Sequence, residues 1–209
     1  MSFRKLPVYL AVLAGSIIAF HIVGFIKAEG SPVAISSHAS IPGYALQNAH
    51  IYLTDKVHSR SLLHMREAVR SIEYLKNNAS GASKKHLTTG LNALKRVESM
   101  MDSGLFHSDS LNINSVIALN ALIYYEIEHA KAFIEQEKRP QAMKALELAI
   151  ANLRNALDFA KGNKKEYEVQ IFSDINSVTS NYYADKDDMI VILDGILMEL
   201  EDLDVAYSQ

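Results

Sequence analysis

The stretch NSVIALNALIYYEIEHAKAFIEQEKRPQAMKALELAIANLRNALDFA, residues 114–160, decides the fold class. Val116, Ile117, Leu119, Ile123, Ile127, Ala130, Phe133 and Ile134 recur at helical spacing and give one helix a wide apolar face. Glu137-Lys138-Arg139-Pro140 then turns the chain. Pro140 suits the first turn of a following helix, where its missing N–H has no intrahelical acceptor to lose. Met143, Leu146, Ile150, Leu153 and Leu157 carry that second helix to the stop at Lys161-Gly162-Asn163. Two amphipathic helices joined by a tight turn form a hairpin whose broad faces need neighbours.

The neighbours follow outward in both directions. Upstream, a helix is expected from about 46 to 76, with Leu62, Met65, Val69, Ile72 and Leu75 on one stripe. Asn77-Asn78-Ala79-Ser80-Gly81 ends it, and a second helix over 83–101 carries Leu87, Leu91, Leu94, Val97 and Met101. Residues 105–114 read as a polar loop, with Asn112 or Asn114 as N-cap of the central helix. Downstream, Val169, Phe172, Ile175, Val178 and Tyr182 predict a helix over 164–183. Asp187 or Asp188 can cap a last helix lined by Met189, Leu193, Ile196, Leu200 and Leu203. This last helix is the most apolar and is expected to be the most buried; Glu199, Glu201, Asp202 and Asp204 read as its solvated face. The fold class is therefore all-α: three consecutive antiparallel helical hairpins, spaced by roughly 45–55 residues, forming a bundle or short solenoid. Ala142, Ala145 and Ala149 resemble the close-packing positions of a tetratricopeptide repeat, but the 34-residue period is absent, so a tetratricopeptide-like scaffold for protein partners stands as an alternative.

The chain opens differently. Arg4 and Lys5 precede an apolar run over residues 6–26, the pattern of an export signal. Its length matches the roughly 20 residues that span a bilayer, whereas Ala28-Glu29-Gly30 offers the small residues of a cleavage site. Residues 1–28 are thus a signal peptide or a transmembrane anchor in the form of an apolar helix. Either places the remainder, from the positive-inside rule, outside the cytoplasm: periplasmic, or anchored to the inner membrane. Residues 29–45, rich in Gly, Pro and Ser, have the composition of a flexible linker, and 46–206 form the helical domain.

Composition excludes several functions. With 21 Lys and Arg against 24 Asp and Glu, the chain lacks the basic excess of a general nucleic-acid binder. It has no cysteine, so disulfides, thiol catalysis and thiolate metal sites are excluded. No nucleophile elbow, zincin helix or phosphate-binding glycine loop is present, and the reading is of a protein that is not an enzyme and carries no cofactor. Glu126 and His129 share a helix face at the spacing used in carboxylate-bridged metal bundles, but only one such pair exists where two are needed, so they remain weak metal candidates on the flank of their helix. Histidines 38, 50, 58, 86 and 107 fall in expected linker, helix starts or loop and are read as surface groups. Tyr124, Tyr125, Tyr182 and Tyr183 form two adjacent pairs; in each, one ring is expected in the core and the other on a ligand or partner surface.

His64-Met65-Arg66-Glu67-Ala68-Val69-Arg70, then Ala93-Leu94, then Lys138-Arg139-Pro140-Gln141-Ala142-Met143-Lys144-Ala145-Leu146-Glu147-Leu148-Ala149 are followed by a helical pair turning near Asp185. This order of features resembles the YfdX family of exported bacterial helical proteins. It covers most of residues 50–205. It implies a stress-related protein, chaperone-like in its binding, inclined to homo-oligomerise and without catalytic residues. The functional expectation is an exported binding protein for a protein or small apolar ligand, touching the membrane through residues 6–26 if these are uncleaved. A metal- or cofactor-binding bundle is the alternative from another class.

Overall fold

The computed structural model describes the backbone of residues 32–105 and 108–208, and the side chains within 39–203 apart from 106, 107 and 163. The apolar run 6–26 and its cleavage pattern lie outside the described residues. Among the described residues seven helices follow one another: α1 Pro32–Thr54, α2 His58–Asn78, α3 Gly81–Asp102, α4 Ser108–Glu135, α5 Arg139–Phe159, α6 Asn163–Ser180 and α7 Lys186–Ser208. Among the described residues there is no strand, and no helix is long and apolar enough to cross a membrane. The compact unit spans His38–Gln209.

The three hairpins are present as α2–α3, α4–α5 and α6–α7, and they close around α4. This helix packs against α3, α5 and α7, while α5 meets α6 and α6 meets α7. Helices α4 to α7 therefore form a four-membered ring, and α3 with α2 extends from the other side of α4. The arrangement is a bundle with one shared central helix. The last helix is not the most buried, as its apolarity suggested: Val191 is 70% and Met198 68% exposed on its outer side. Every residue from 115 to 127 of α4 is buried instead, because three neighbours leave it no solvent face.

The two central seams use small residues. On α5, Ala142, Ala145, Ala149 and Ala156 line the buried side. On α3, Gly90 lets the backbones approach so closely that a Cβ there would lie 3.0 Å from the Ala118 Cα and 3.1 Å from the Ala121 Cβ.

Four expectations are corrected. Residues assigned to a linker are helical from Pro32, with Pro42 inside α1. Gly43 of this helix lies against α5, where an added Cβ would meet the Asn155 and Asn152 amides, and Ser61 donates from α2 to the Ala49 carbonyl at 2.6 Å. The helix expected over 46–76 is two helices, because the chain turns at Lys56 with a positive φ of 60°. There Val57 N–H reaches the Tyr52 carbonyl (2.7 Å) and Lys56 N–H that of Leu53 (2.9 Å), the paired bonds that terminate a helix through a left-handed residue. The central helix begins at Ser108, so Asn112 and Asn114 lie inside it; Asn114 donates back to the Ser110 carbonyl instead of capping. On α6 the buried positions are Glu168, Ile171, Ile175 and Val178, and Val169 is 52% exposed. The helix ends at Ser180, which leaves Tyr182 and Tyr183 on the following turn.

Candidate functional site

Polar side chains gather on α4 where it faces α3 and α7. The first is Glu128, whose carboxylate accepts from both the backbone N–H (3.2 Å) and the hydroxyl of Ser83. Ser83 lies in the first turn of α3, where N–H groups have no intrahelical acceptor, so an acid from a neighbouring helix supplies both a hydrogen bond and the favourable charge. One turn earlier on α4, the Tyr124 ring stacks on His86 of α3, with centroids 3.8 Å apart and planes 19° from parallel. The Tyr124 hydroxyl donates to Glu201 of α7 at 3.2 Å. Burial, reinforced by the charges of Glu128 and Glu201, pushes its pKa up to about 12. Lys131, the next turn along, pairs with Asp194 of α7 at 2.6 Å. This line ties three helices together and leaves the phenol a hydrogen-bond donor at every physiological pH.

Tyr125, Glu126 and His129 occupy other sides of the same helix. Tyr125 is 1% exposed; burial, then the nearby Glu126 and Tyr74 groups, hold its hydroxyl protonated. His129 Nδ1 lies 2.8 Å from the Tyr125 carbonyl, and its ring tilts against Tyr125 with centroids 4.2 Å apart. Glu126 is 4% exposed, and burial alone pushes its carboxyl up to about 8. It is not the solvated flank residue expected. Among the described residues, no three His, Asp or Glu side chains converge in a way that would hold a metal ion.

The four tyrosines do not share a site. Tyr124 and Tyr125 are both buried, and Tyr182 and Tyr183 are both exposed, at 38% and 90%, so the expected division within each pair is corrected. A helix needs one side facing solvent to divide such a pair; α4 has none at that level, and the second pair is not on a helix. Arg139 donates to the Tyr182 and Ala184 carbonyls, and Lys186 to that of Glu135, which fixes the α6–α7 turn beside the end of α4. Tyr124 lies about 16 Å further up α4, at about 1.5 Å per residue.

Two open clefts border these groups. One, of about 380 Å³, lies between α4 and α7 and is lined by Glu128, His129, Lys131, Ala132, Glu135 and Leu197. The other, of about 400 Å³, lies at the α6–α7 turn, where Val178, Ala184, Met189, Val191 and Ile192 supply apolar walls and Ser177, Asn181 and Asp188 polar ones. Neither brings a nucleophile to a base. The second cleft, at the turn that carries Tyr182 and Tyr183, has the mix of apolar surface and few polar groups that suits binding.

Three groups here were missed in the sequence although the helical period marks them. His86 shares the register of Ser83, Gly90 and Val97 on the buried side of α3, and it is 6% exposed, not a surface histidine. Glu168 continues the Ile171–Ile175–Val178 register and accepts from Asn120 of α4 at 2.9 Å, both buried. Comparison with protein-family models, with curated proteins and with solved structures gives no match.

Proposed function

We propose that this chain is a helical binding protein that works outside the cytoplasm, held at the membrane or released from it according to the fate of residues 1–28. The observation that carries the binding reading is the α6–α7 cleft of about 400 Å³, with Ile192 and Val191 on its wall and Tyr183, 90% exposed, on the turn that closes it. A recess with mostly apolar walls and a few polar groups is the usual form of a binding site, and this one has that make-up. Its occupant is an apolar side chain of a protein partner or a small apolar ligand. The likeness to the YfdX family adds a stress-related, chaperone-like role to the proposal.

The test uses a feature of the composition: the chain has no tryptophan, so emission from a tryptophan-containing unfolded client is read without background. Titration of the client should give saturable binding that Ile192→Asp and Tyr183→Ser each weaken. Binding unchanged by both substitutions would sink the assignment to this cleft. The mass of the native N-terminus checks the location separately: a chain that retains Met1 in the membrane fraction is the anchored form, and one beginning after Gly30 is the cleaved form.

A further inference from the structure

The outer faces of α3 and α7 carry opposite charge in the same pattern. On α3, the exposed cations fall in two pairs, Lys84 with Lys85 and Lys95 with Arg96, separated by about 17 Å along the axis. Between them the exposed residues are uncharged: Thr88, Thr89 and Asn92. The one acid between positions 81 and 99 is Glu98, half-buried and held by Arg66 at 3.1 Å. Lys95 also reaches Glu73 at 2.9 Å, an exposed pair that water screens.

On α7, exposed acids form the pairs Asp187–Asp188 and Glu201–Asp202, separated by about 21 Å. The stretch between them presents Val191, Ile192, Gly195 and Met198 to solvent, and its one acid, Asp194, is held by Lys131. Like charges crowd here: Glu199 has its carboxyl raised by partial burial and then by Asp174 and Asp202. Among the described residues nothing requires glycine at position 195. A Cβ at that position would meet nothing within 4 Å, yet glycine weakens a helix interior relative to alanine. A small residue at the centre of an exposed face, flanked by apolar neighbours and bracketed by acids, fits the close approach of a basic helix.

We propose that the α7 face receives the α3 face of a second copy of this chain, with Asn92 near Gly195 and the two cation pairs over the two acid pairs. The long lysine side chains bridge the difference of about 4 Å in spacing. Because the two surfaces differ, the contact is head-to-tail, and the pair keeps one free face of each kind, α3 on one copy and α7 on the other. The inference goes beyond the binding role of the α6–α7 cleft; Asp188 and Val191 belong to both surfaces, so a second copy and the cleft's occupant compete, whereas substitutions on α3 break the self-contact and leave the cleft intact.

The absence of cysteine makes an introduced thiol unique, so the full chain in a non-ionic detergent can be tested by disulfide formation. An oxidised mixture of Asn92→Cys and Met198→Cys chains should give a covalent dimer at roughly ten times the yield of either variant alone, since a head-to-tail contact brings unlike positions together. About 0.5 M salt should suppress it. Adding Lys84→Glu and Lys85→Glu to the Asn92→Cys chain should abolish the product, and Asp187→Lys with Asp188→Lys on the other chain should restore it. Gly195→Leu on the Met198→Cys chain should block cross-linking while its helical circular dichroism and melting temperature equal or exceed the parent's. Equal cross-linking of either variant with itself, no product in the mixture, or a product indifferent to charge reversal would each overturn the proposal.

Discussion

A buried carboxyl without a charged partner makes folding itself sensitive to pH. Glu126 has an ordinary value of 4.5 and a folded value of about 8, set by burial. Between these values the folded chain keeps a proton that the unfolded chain releases. The contribution of this group to stability is therefore greatest below about pH 4.5, declines as pH rises towards 8, and levels off above it. The loss is on the order of a few kcal/mol. Glu126→Gln keeps the shape and removes the titration, so the variant should melt higher than the parent at pH 8.5 and close to it at pH 5. Equal melting curves at both pH values would refute the assignment. Two glycines give the opposite pair of effects at one substitution. Gly90→Ala drives a methyl into the Ala118 backbone, which cannot yield, and should destabilise by about 1–2 kcal/mol. Gly195→Ala meets nothing and should stabilise by up to about 1 kcal/mol. Paired urea melts check both signs. Glu126 shows why single residues are hard to place from sequence: it shares the helical register of Leu119, Ile123 and Ala130, but a carboxylate there reads as solvated until three neighbouring helices bury it.

At the scale of the element, helix ends explain what the sequence revealed and what it concealed. Three helices end through the same left-handed residue with the same pair of bonds, at Lys56, Gly104 and Glu137. Gly104 is the residue that this geometry favours, and the stop after α3 was legible for that reason. The stop at Glu137 was betrayed by Pro140. Lys56 has neither signal, so two helices read as one. A lysine in the left-handed region costs roughly 1 kcal/mol that glycine avoids. Lys56→Gly should therefore raise stability by about 0.5–1 kcal/mol, a rise of about 2–4 °C in Tm for a chain of this size, although glycine also loosens the unfolded state. A fall in Tm would mean that the Lys56 side chain contributes more than its backbone costs. The misplaced frame of α6 has a different origin. Val169 and Phe172 are apolar and invited one register; Glu168 occupies the buried register because Asn120 offers it a hydrogen bond. The register marks the position, but the partner that lets a carboxylate be buried there lies 48 residues away on another helix.

For the whole molecule, the hairpin plan was legible but its closure was not. Local periodicity gives each helix a face; which faces meet depends on contacts between distant parts of the chain, such as Tyr124 with Glu201 and Lys131 with Asp194. Those contacts fold α7 back onto α4 and turn a possible row of hairpins into a ring. The candidate site was legible only as a list of tyrosines, because their levels and exposure follow from that closure. The same architecture orders the stability of the parts. Helix α4 is shared by the ring and by the α2–α3 extension, so its backbone is released only when both open. Helix α7 has one face on α4 and α6 and another in solvent. Native-state hydrogen exchange should find the slowest amides within residues 115–127, with protection equal to the global unfolding free energy. Amides of α7 should exchange faster, by opening of the ring that leaves α3, α4 and α5 packed. Tyr124→Phe removes the hydroxyl tie to Glu201 and should accelerate exchange in α7 while leaving that in α3 and α5 nearly unchanged. Uniform acceleration across all helices would mean that the unit opens only as a whole, and the ring and its extension would then be one cooperative body.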